Sequence, residues 1–93
     1  MIAGRRVAVV VPAFNEAGKI AATLRSIPAD VDRVICIDDA SVDGTANIVK
    51  LLDDPRVTLL CHPRNRGVGA AIATGYAEAL RTECDVAVVM AGD

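Results

Sequence analysis

The sequence predicts an α/β fold, a parallel sheet with helices on both faces. Three observations carry this. Short β-branched runs alternate with segments of helical periodicity, in the order β-α-β-α-β-α-β over 93 residues. The links between them are short, as in parallel sheets built by right-handed crossovers. Finally, 53% of the chain is apolar but only 2% is aromatic. The core must then come from Val, Ile, Leu and Ala, which suits strands buried on both faces better than a sandwich anchored by rings.

The run Val7-Ala8-Val9-Val10-Val11, closed by Pro12, has the continuous β-branched character of a doubly buried strand. A polar loop follows over residues 12–18. Ile20, Leu24 and Ile27 then recur at helical spacing within residues 19–27, and Pro28 ends that helix. Arg33-Val34-Ile35-Cys36-Ile37 is a second buried strand, running into Asp38-Asp39. The next helix covers residues 45–52, with Asp43 as its expected N-cap. Ile48, Val49, Leu51 and Leu52 make its apolar face, and Asp54-Pro55 closes it. Residues 57–61 are a third strand. A glycine-containing turn over residues 63–69 opens a third helix, in which Ile72, Tyr76, Ala79 and Leu80 share a face. Residues 85–90 read as a fourth strand, and the chain ends at Asp93. No repeat, low-complexity tract or linker interrupts the pattern, so residues 1–93 read as a single domain.

Composition narrows the function. A formal net charge of -2 and a single Phe and Tyr leave neither the basic face nor the stacking rings of a nucleic-acid module. Cys36, Cys61 and Cys84 are odd in number and form no C-x-x-C pair, which fits small hydrophobes in a reducing compartment. His62 has no second histidine at ligand spacing, so a zinc site is not expected. The apolar run 7–11 is too short for a signal-peptide core or a transmembrane segment, and a cytoplasmic domain is the default expectation.

In a parallel sheet, ligands sit beyond the carboxyl ends of the strands. Four polar segments lie at that edge: residues 12–16, 38–44, 62–69 and 91–93. They bring Glu16, Asp38, Asp39 and Asp93 to one side of the fold, from three different strands. Turn-forming or capping accounts for one or two of these carboxylates but not for their convergence. Adjacent Asp38 and Asp39 repel each other, and a base or ribose offering N–H and O–H donors would compensate.

Two familiar phosphate-binding patterns do not fit. Gly67-Val68-Gly69-Ala70-Ala71-Ile72 lacks the third glycine of a dinucleotide fingerprint and follows the third strand rather than the first. No P-loop with Gly-Lys-Ser/Thr is present. Gly67 and Gly69 suit either a close-packed helix entry or contact with an anion at a helix N-terminus, and both readings stand.

Four motifs together carry a resemblance. Val10-Val11-Pro12-Ala13-Phe14-Asn15-Glu16 is similar to the V-P-A-Y-N-E opening of family 2 glycosyltransferases of the GT-A fold, the group that includes dolichyl-phosphate and polyprenyl-phosphate sugar synthases. Ile37-Asp38-Asp39-Ala40-Ser41-Val42-Asp43-Gly44-Thr45 resembles that family's D-D-x-S-x-D-G-T. Asn65-Arg66-Gly67-Val68-Gly69-Ala70-Ala71, continuing to Gly75-Tyr76, resembles its N-x-G-x-G-x-A helix entry. Val88-Val89-Met90-Ala91-Gly92-Asp93 falls where the family has a strand ending in D-x-D.

The resemblance implies a Rossmann-like, GT-A type domain, the N-terminal half of an enzyme that transfers a sugar from a nucleoside-diphosphate sugar. It implies that Pro12, Ala13, Phe14 and Glu16 line the nucleotide pocket, with Asn15 supporting the loop. Asp39, together with Asp38, would hydrogen-bond the base or ribose, with Ile37 beside it. Asp93 would help hold Mg²⁺ or Mn²⁺ against the diphosphate, where a hard cation neutralises leaving-group charge. The acceptor class it implies includes polyprenyl phosphates. The family's general base lies beyond the D-x-D, so it has no counterpart here, and the chain reads as a donor-binding part that ends on its metal motif. Two departures stand out: Ala91 replaces the first Asp of D-x-D, and Val68 stands where many relatives carry Lys. Arg64 or Arg66 is the candidate replacement for that phosphate contact. A non-catalytic nucleotide-binding or assembly module with this fold remains the alternative. A nucleotidyltransferase would need a Gly-rich basic stretch after the first strand, and a flavodoxin-like domain would not explain the four motifs.

Overall fold

Four extended runs assemble as predicted into one parallel sheet. They are β1 (Val7–Ala13), β2 (Arg33–Asp38), β3 (Val57–Cys61) and β4 (Val86–Val89), hydrogen-bonded in the order β3-β2-β1-β4. The computed structural model describes residues 1–90, so Ala91, Gly92 and the expected metal ligand Asp93 lie outside the described residues. In register, Val10 lies between Ile35 of β2 and Val89 of β4.

β1 runs to Ala13, one residue past the proline expected to close it, and the pairing explains why. The Val7 and Ala13 carbonyls accept from Asp32 and Asp39 on the β2 side, while the Arg6 and Val10 carbonyls accept from residues 86 and 90 on the β4 side. Pro12 belongs to the second set, so its missing N–H is lost only toward β4. Pairing with β2 continues to Ala13↔Asp38.

Three helices cover the sheet: α1 (Ile20–Arg25), α2 (Thr45–Leu51) and α3 (Val68–Arg81). Strand alternation sends Val9, Val11, Ala13, Val34 and Cys36 to one face, where they pack with Ile20 and Leu24 of α1 and Val49 of α2. Ala8, Val10, Ile35 and Ile37 face the other way, against Ala71 and Ala79 of α3. The chain moves outward from β1 to β3 with α1 and α2 on one face. It then returns past β1 to β4 through α3 on the opposite face. Strand order therefore reverses between β1 and β4, the kind of switch point where open α/β sheets bind ligands.

The helix faces differ from expectation. In α3 the buried residues are Ala71, Gly75 and Ala79, whereas Tyr76 and Leu80 are exposed. The cause is close approach. A Cβ on Gly75 would lie 2.3 Å from Val10 Cγ1 and 2.9 Å from Ile37 Cδ1, so only small residues fit that line. In α2, Leu51 is exposed and the buried contacts fall to Val49 with Ile48 and Leu52. α1 ends at Arg25, but Ile27 stays buried because a tightened turn, with Ile27 N–H bonded to the Leu24 carbonyl (3.3 Å), keeps it on the core side.

Candidate functional site

Hydrogen bonds knit three loops at the carboxyl edge into one rim. The loop after β1 is held to the loop after β2 by four bonds. The Asn15 amide donates to Ser41 Oγ (2.8 Å), and Asn15 Oδ1 accepts from the Val42 amide (2.9 Å). The Glu16 amide donates to Thr45 Oγ1 (3.0 Å) and the Ala17 amide to Asp43 Oδ2 (3.1 Å). Asn15 sits at φ 51°, a left-handed conformation that asparagine tolerates better than most residues. Asp43 stands one residue before the position expected of it. Gly44 occupies the N-cap at φ 88°, and Asp43 reaches past it to accept from the Thr45 amide and hydroxyl. The Thr45 hydroxyl is the main influence holding the Asp43 carboxyl below its usual range.

Asp39 ties the second loop to the third. Its Oδ1 accepts from His62 Nδ1 (2.8 Å) and the Arg66 amide (2.9 Å), and its Oδ2 accepts from the Gly67 amide (2.8 Å). A carboxylate can only accept, so Nδ1 of His62 is the donor. The other ring nitrogen, Nε2, lies 2.9 Å from Thr74 Oγ1 of α3. Asn65 adds a bond from Nδ2 to the Asp39 carbonyl (3.3 Å). Only 3% of Asp39 is exposed. Burial pushes its carboxyl up, but the bonds from Arg66, His62 and Gly67 outweigh that and hold it below the usual carboxylate range.

Asp38 is treated differently. It is 4% exposed, and among the described residues its Oδ2 accepts only from the Ser41 amide at 3.3 Å and its buried Oδ1 has no partner. A buried acceptor without a donor is costly, about 1–3 kcal/mol, unless something supplies one. The compensation expected from a ligand is thus already given to Asp39 by the protein itself. Among the described residues it is still missing at Asp38.

The other candidates divide. Phe14 projects from the rim with 47% of its surface exposed. Pro12 and Glu16 are half-buried, and Ala13 is buried with its carbonyl bonded to the Asp39 amide (2.9 Å). Ile37 is a correction: its side chain is fully buried in the core against α3, not beside a pocket, because strand alternation turns it inward next to Gly75. Arg64 and Arg66 are exposed, and neither forms an ion pair among the described residues.

For a divalent cation the described residues are insufficient. Among them no group of three His, Cys, Asp or Glu side chains stands close enough to hold one. Asp39 is taken up by three donors, and Asp93 is outside the described residues.

Sequence reasoning undervalues His62. As a solitary histidine it has no metal partner, yet its place directly after β3, on the same edge as Asp39, is the signal that marks it. Thr74 carries no such signal, since only the packing of α3 brings it to the imidazole.

Residues 8–91 match the sequence pattern of glycosyl transferase family 2. The chain belongs to that family. Among curated relatives, the UDP-N-acetylglucosamine–dolichyl-phosphate N-acetylglucosaminyltransferase of Methanococcus voltae is 28% identical over an alignment of 107 residues, covering 99% of this chain and 43% of that enzyme. Among solved structures, the mannosyltransferase PcManGT of Pyrobaculum calidifontis, in complex with GDP-Man and Mn²⁺, superposes with a TM-score of 0.77 at 32% identity, over 96% of this chain and 28% of that one. TarS 1–349 of S. aureus, in complex with UDP, gives a TM-score of 0.80 at 23% identity over 95% of this chain and 27% of that one, and shares the fold. This family 2 chain therefore spans less than half the length of each of these three proteins.

Proposed function

We propose that this family 2 domain is the donor-binding half of a glycosyltransferase, taking a nucleoside-diphosphate sugar at the carboxyl edge between β1 and β2. The observation that carries the reading is Asp38 Oδ1, a buried acceptor without a donor among the described residues, at the end of β2 beside the hydrogen-bonded loops. A base or ribose supplies N–H and O–H donors of the kind that oxygen lacks. The exposed ring of Phe14 offers a stacking surface on the same rim. The family match and the nucleotide and nucleotide-sugar complexes of its structural neighbours support the assignment.

In this reading Mg²⁺ or Mn²⁺, held with Asp93 and the diphosphate, supplies neutralisation of the leaving group's charge. The Mn²⁺ in PcManGT supports it. The rim bonds of Asn15, Asp43 and Asp39 keep the loops in place, so binding requires little ordering. The acceptor is a lipid phosphate of the polyprenyl class, supported by the dolichyl-phosphate enzyme among the relatives. In this reading, transfer to a lipid phosphate takes place at the cytoplasmic face of a membrane.

Calorimetric titration with UDP and GDP, with and without Mn²⁺, tests this on the chain and on Asp93→Ala. One nucleotide should bind in a Mn²⁺-dependent manner, and Asp93→Ala should abolish the metal dependence. A folded chain that binds neither nucleotide would sink the proposal.

A further inference from the structure

We infer that Cys61 is a modification site: a small disulfide of the glutathione class exchanges with its thiol, and the mixed disulfide that results shuts the donor site. The inference rests on the donor-site reading and adds a control to it. The three cysteines stand in different surroundings. Cys36 is fully buried in β2, and burial, with smaller contributions from Asp38 and Cys61, pushes its thiol up to about 12. A thiol held that high supplies almost none of the thiolate that attacks disulfides. Cys84 is half-buried against the α3 core, with its Sγ 3.8 Å from Thr82 Oγ1. Cys61 is exposed at the last position of β3, which is an edge strand among the described residues. It departs from the small buried hydrophobe that composition suggests.

The neighbour of Cys61 gives that exposure a consequence. Asp38 and Cys61 are register partners on adjacent parallel strands, which lie about 4.8 Å apart. Strand alternation puts both side chains on the α1/α2 face, where Val34 and Cys36 precede Asp38 and Val57 and Leu59 precede Cys61. The influence of both groups on the Cys36 thiol agrees with that placement. Asp38 is 4% exposed, and its Oδ1 has no partner among the described residues. The unpartnered acceptor and the exposed thiol thus share one end of the β2–β3 pair. In the exchange, the Cys61 thiolate attacks one sulfur of the disulfide and forms the new S–S bond. The old S–S bond breaks, and the other half leaves as a thiolate that takes up the proton Cys61 lost. One disulfide is consumed and one is made. The glutathionyl group left behind carries two carboxylates, which fill the approach to Asp38 and repel the diphosphate of a nucleotide.

Treatment of the folded chain with oxidised glutathione tests this. The adduct is mapped by mass spectrometry, and the chain is titrated with UDP and with GDP in the presence of Mn²⁺ before and after, alongside Cys61→Ser. One glutathione should add per chain, on Cys61, and weaken binding of the nucleotide by about tenfold or more. Circular dichroism of the adduct should match that of the unmodified chain, and dithiothreitol should restore binding. Cys61→Ser should bind the nucleotide as the unaltered chain does and show no response to the disulfide. Addition to Cys36 or Cys84 instead, or no addition at all, overturns the inference and leaves the donor-site reading intact. So does an adduct on Cys61 that keeps full affinity or that unfolds the chain. Binding of neither nucleotide to the unmodified folded chain removes both. Reversal by dithiothreitol decides even if Cys61→Ser does not fold.

Discussion

Asp38 and Asp39 are neighbours at one strand end, yet they belong to two differently built regions. On the α3 side, Asp39 receives three donors from the loop after β3. On the α1/α2 side, Asp38 receives one amide at 3.3 Å and keeps a buried oxygen without a partner among the described residues. The difference lies in where loop donors go. On the α1/α2 side the Asn15, Glu16, Ala17 and Val42 amides are taken by Ser41, Thr45, Asp43 and Asn15, so these four do not reach Asp38, which keeps only the Ser41 amide among the described residues. One carboxylate holds the rim together, and in the proposed reading the other is the acceptor for the nucleotide. Adjacent residues of one chemical type can therefore be satisfied very differently by the same fold.

The sharpest way to break this contrast is a pair of isosteric substitutions. Asp39→Asn turns one acceptor oxygen into a donor facing buried donors, and urea unfolding should show a loss of about 2–4 kcal/mol. Asp38→Asn removes a poorly compensated charge and should change stability by less than about 1 kcal/mol. Similar losses at both positions would erase the distinction. Next in size is the packing of α3. Gly75→Ala should cost about 1–3 kcal/mol, because its Cβ meets Val10 at 2.3 Å. Gly69→Ala, with no atom within 4 Å of the added Cβ, should be neutral or gain up to about 1 kcal/mol of helix propensity.

Acid titration probes the two sides together. Asp39 and Asp43 are both held below the usual carboxylate range, Asp39 against its burial and Asp43 chiefly by Thr45. Their contribution to stability is complete above the unfolded carboxylate pKa of about 3.9 and is lost as pH falls through the lower folded values. Stability should hold from neutral pH to about pH 5 and then decline in acid, with a shallower decline in Asp39→Asn. The smallest effect is expected at Ala40, whose φ of 64° costs an alanine about 1 kcal/mol. Ala40→Gly relieves that strain but loosens the unfolded chain, so thermal unfolding should register a gain below about 1 kcal/mol.

Much of this was legible in the residues. The runs Val7-Ala8-Val9-Val10-Val11 and Val34-Ile35-Cys36-Ile37 are continuous apolar strands because both faces of the sheet are covered, and continuity is visible locally. The helix faces were less so. Periodicity groups Tyr76 and Leu80 with the apolar side of α3, but nothing local says that the helix approaches β1 so closely that Gly75 must lie on the contact line. The site divides in the same way. The convergence of Glu16, Asp38 and Asp39 on one edge follows from the alternation of strands and helices. The inward turn of Ile37 follows from strand pairing, and the engagement of His62 follows from the meeting of two loops that lie 23 residues apart in sequence.

By itself the sequence determined the α/β class, the order of elements, the edge that carries the candidate site and membership in the family. Each of these depends on residue type and local spacing, which the chain carries without folding. Only the tertiary structure decided the strand order β3-β2-β1-β4, the small-residue contact line of α3 and the separate fates of Asp38 and Asp39. Those depend on which donors from distant loops arrive at which oxygen, and a distance between loops is set by packing, not by spacing along the chain.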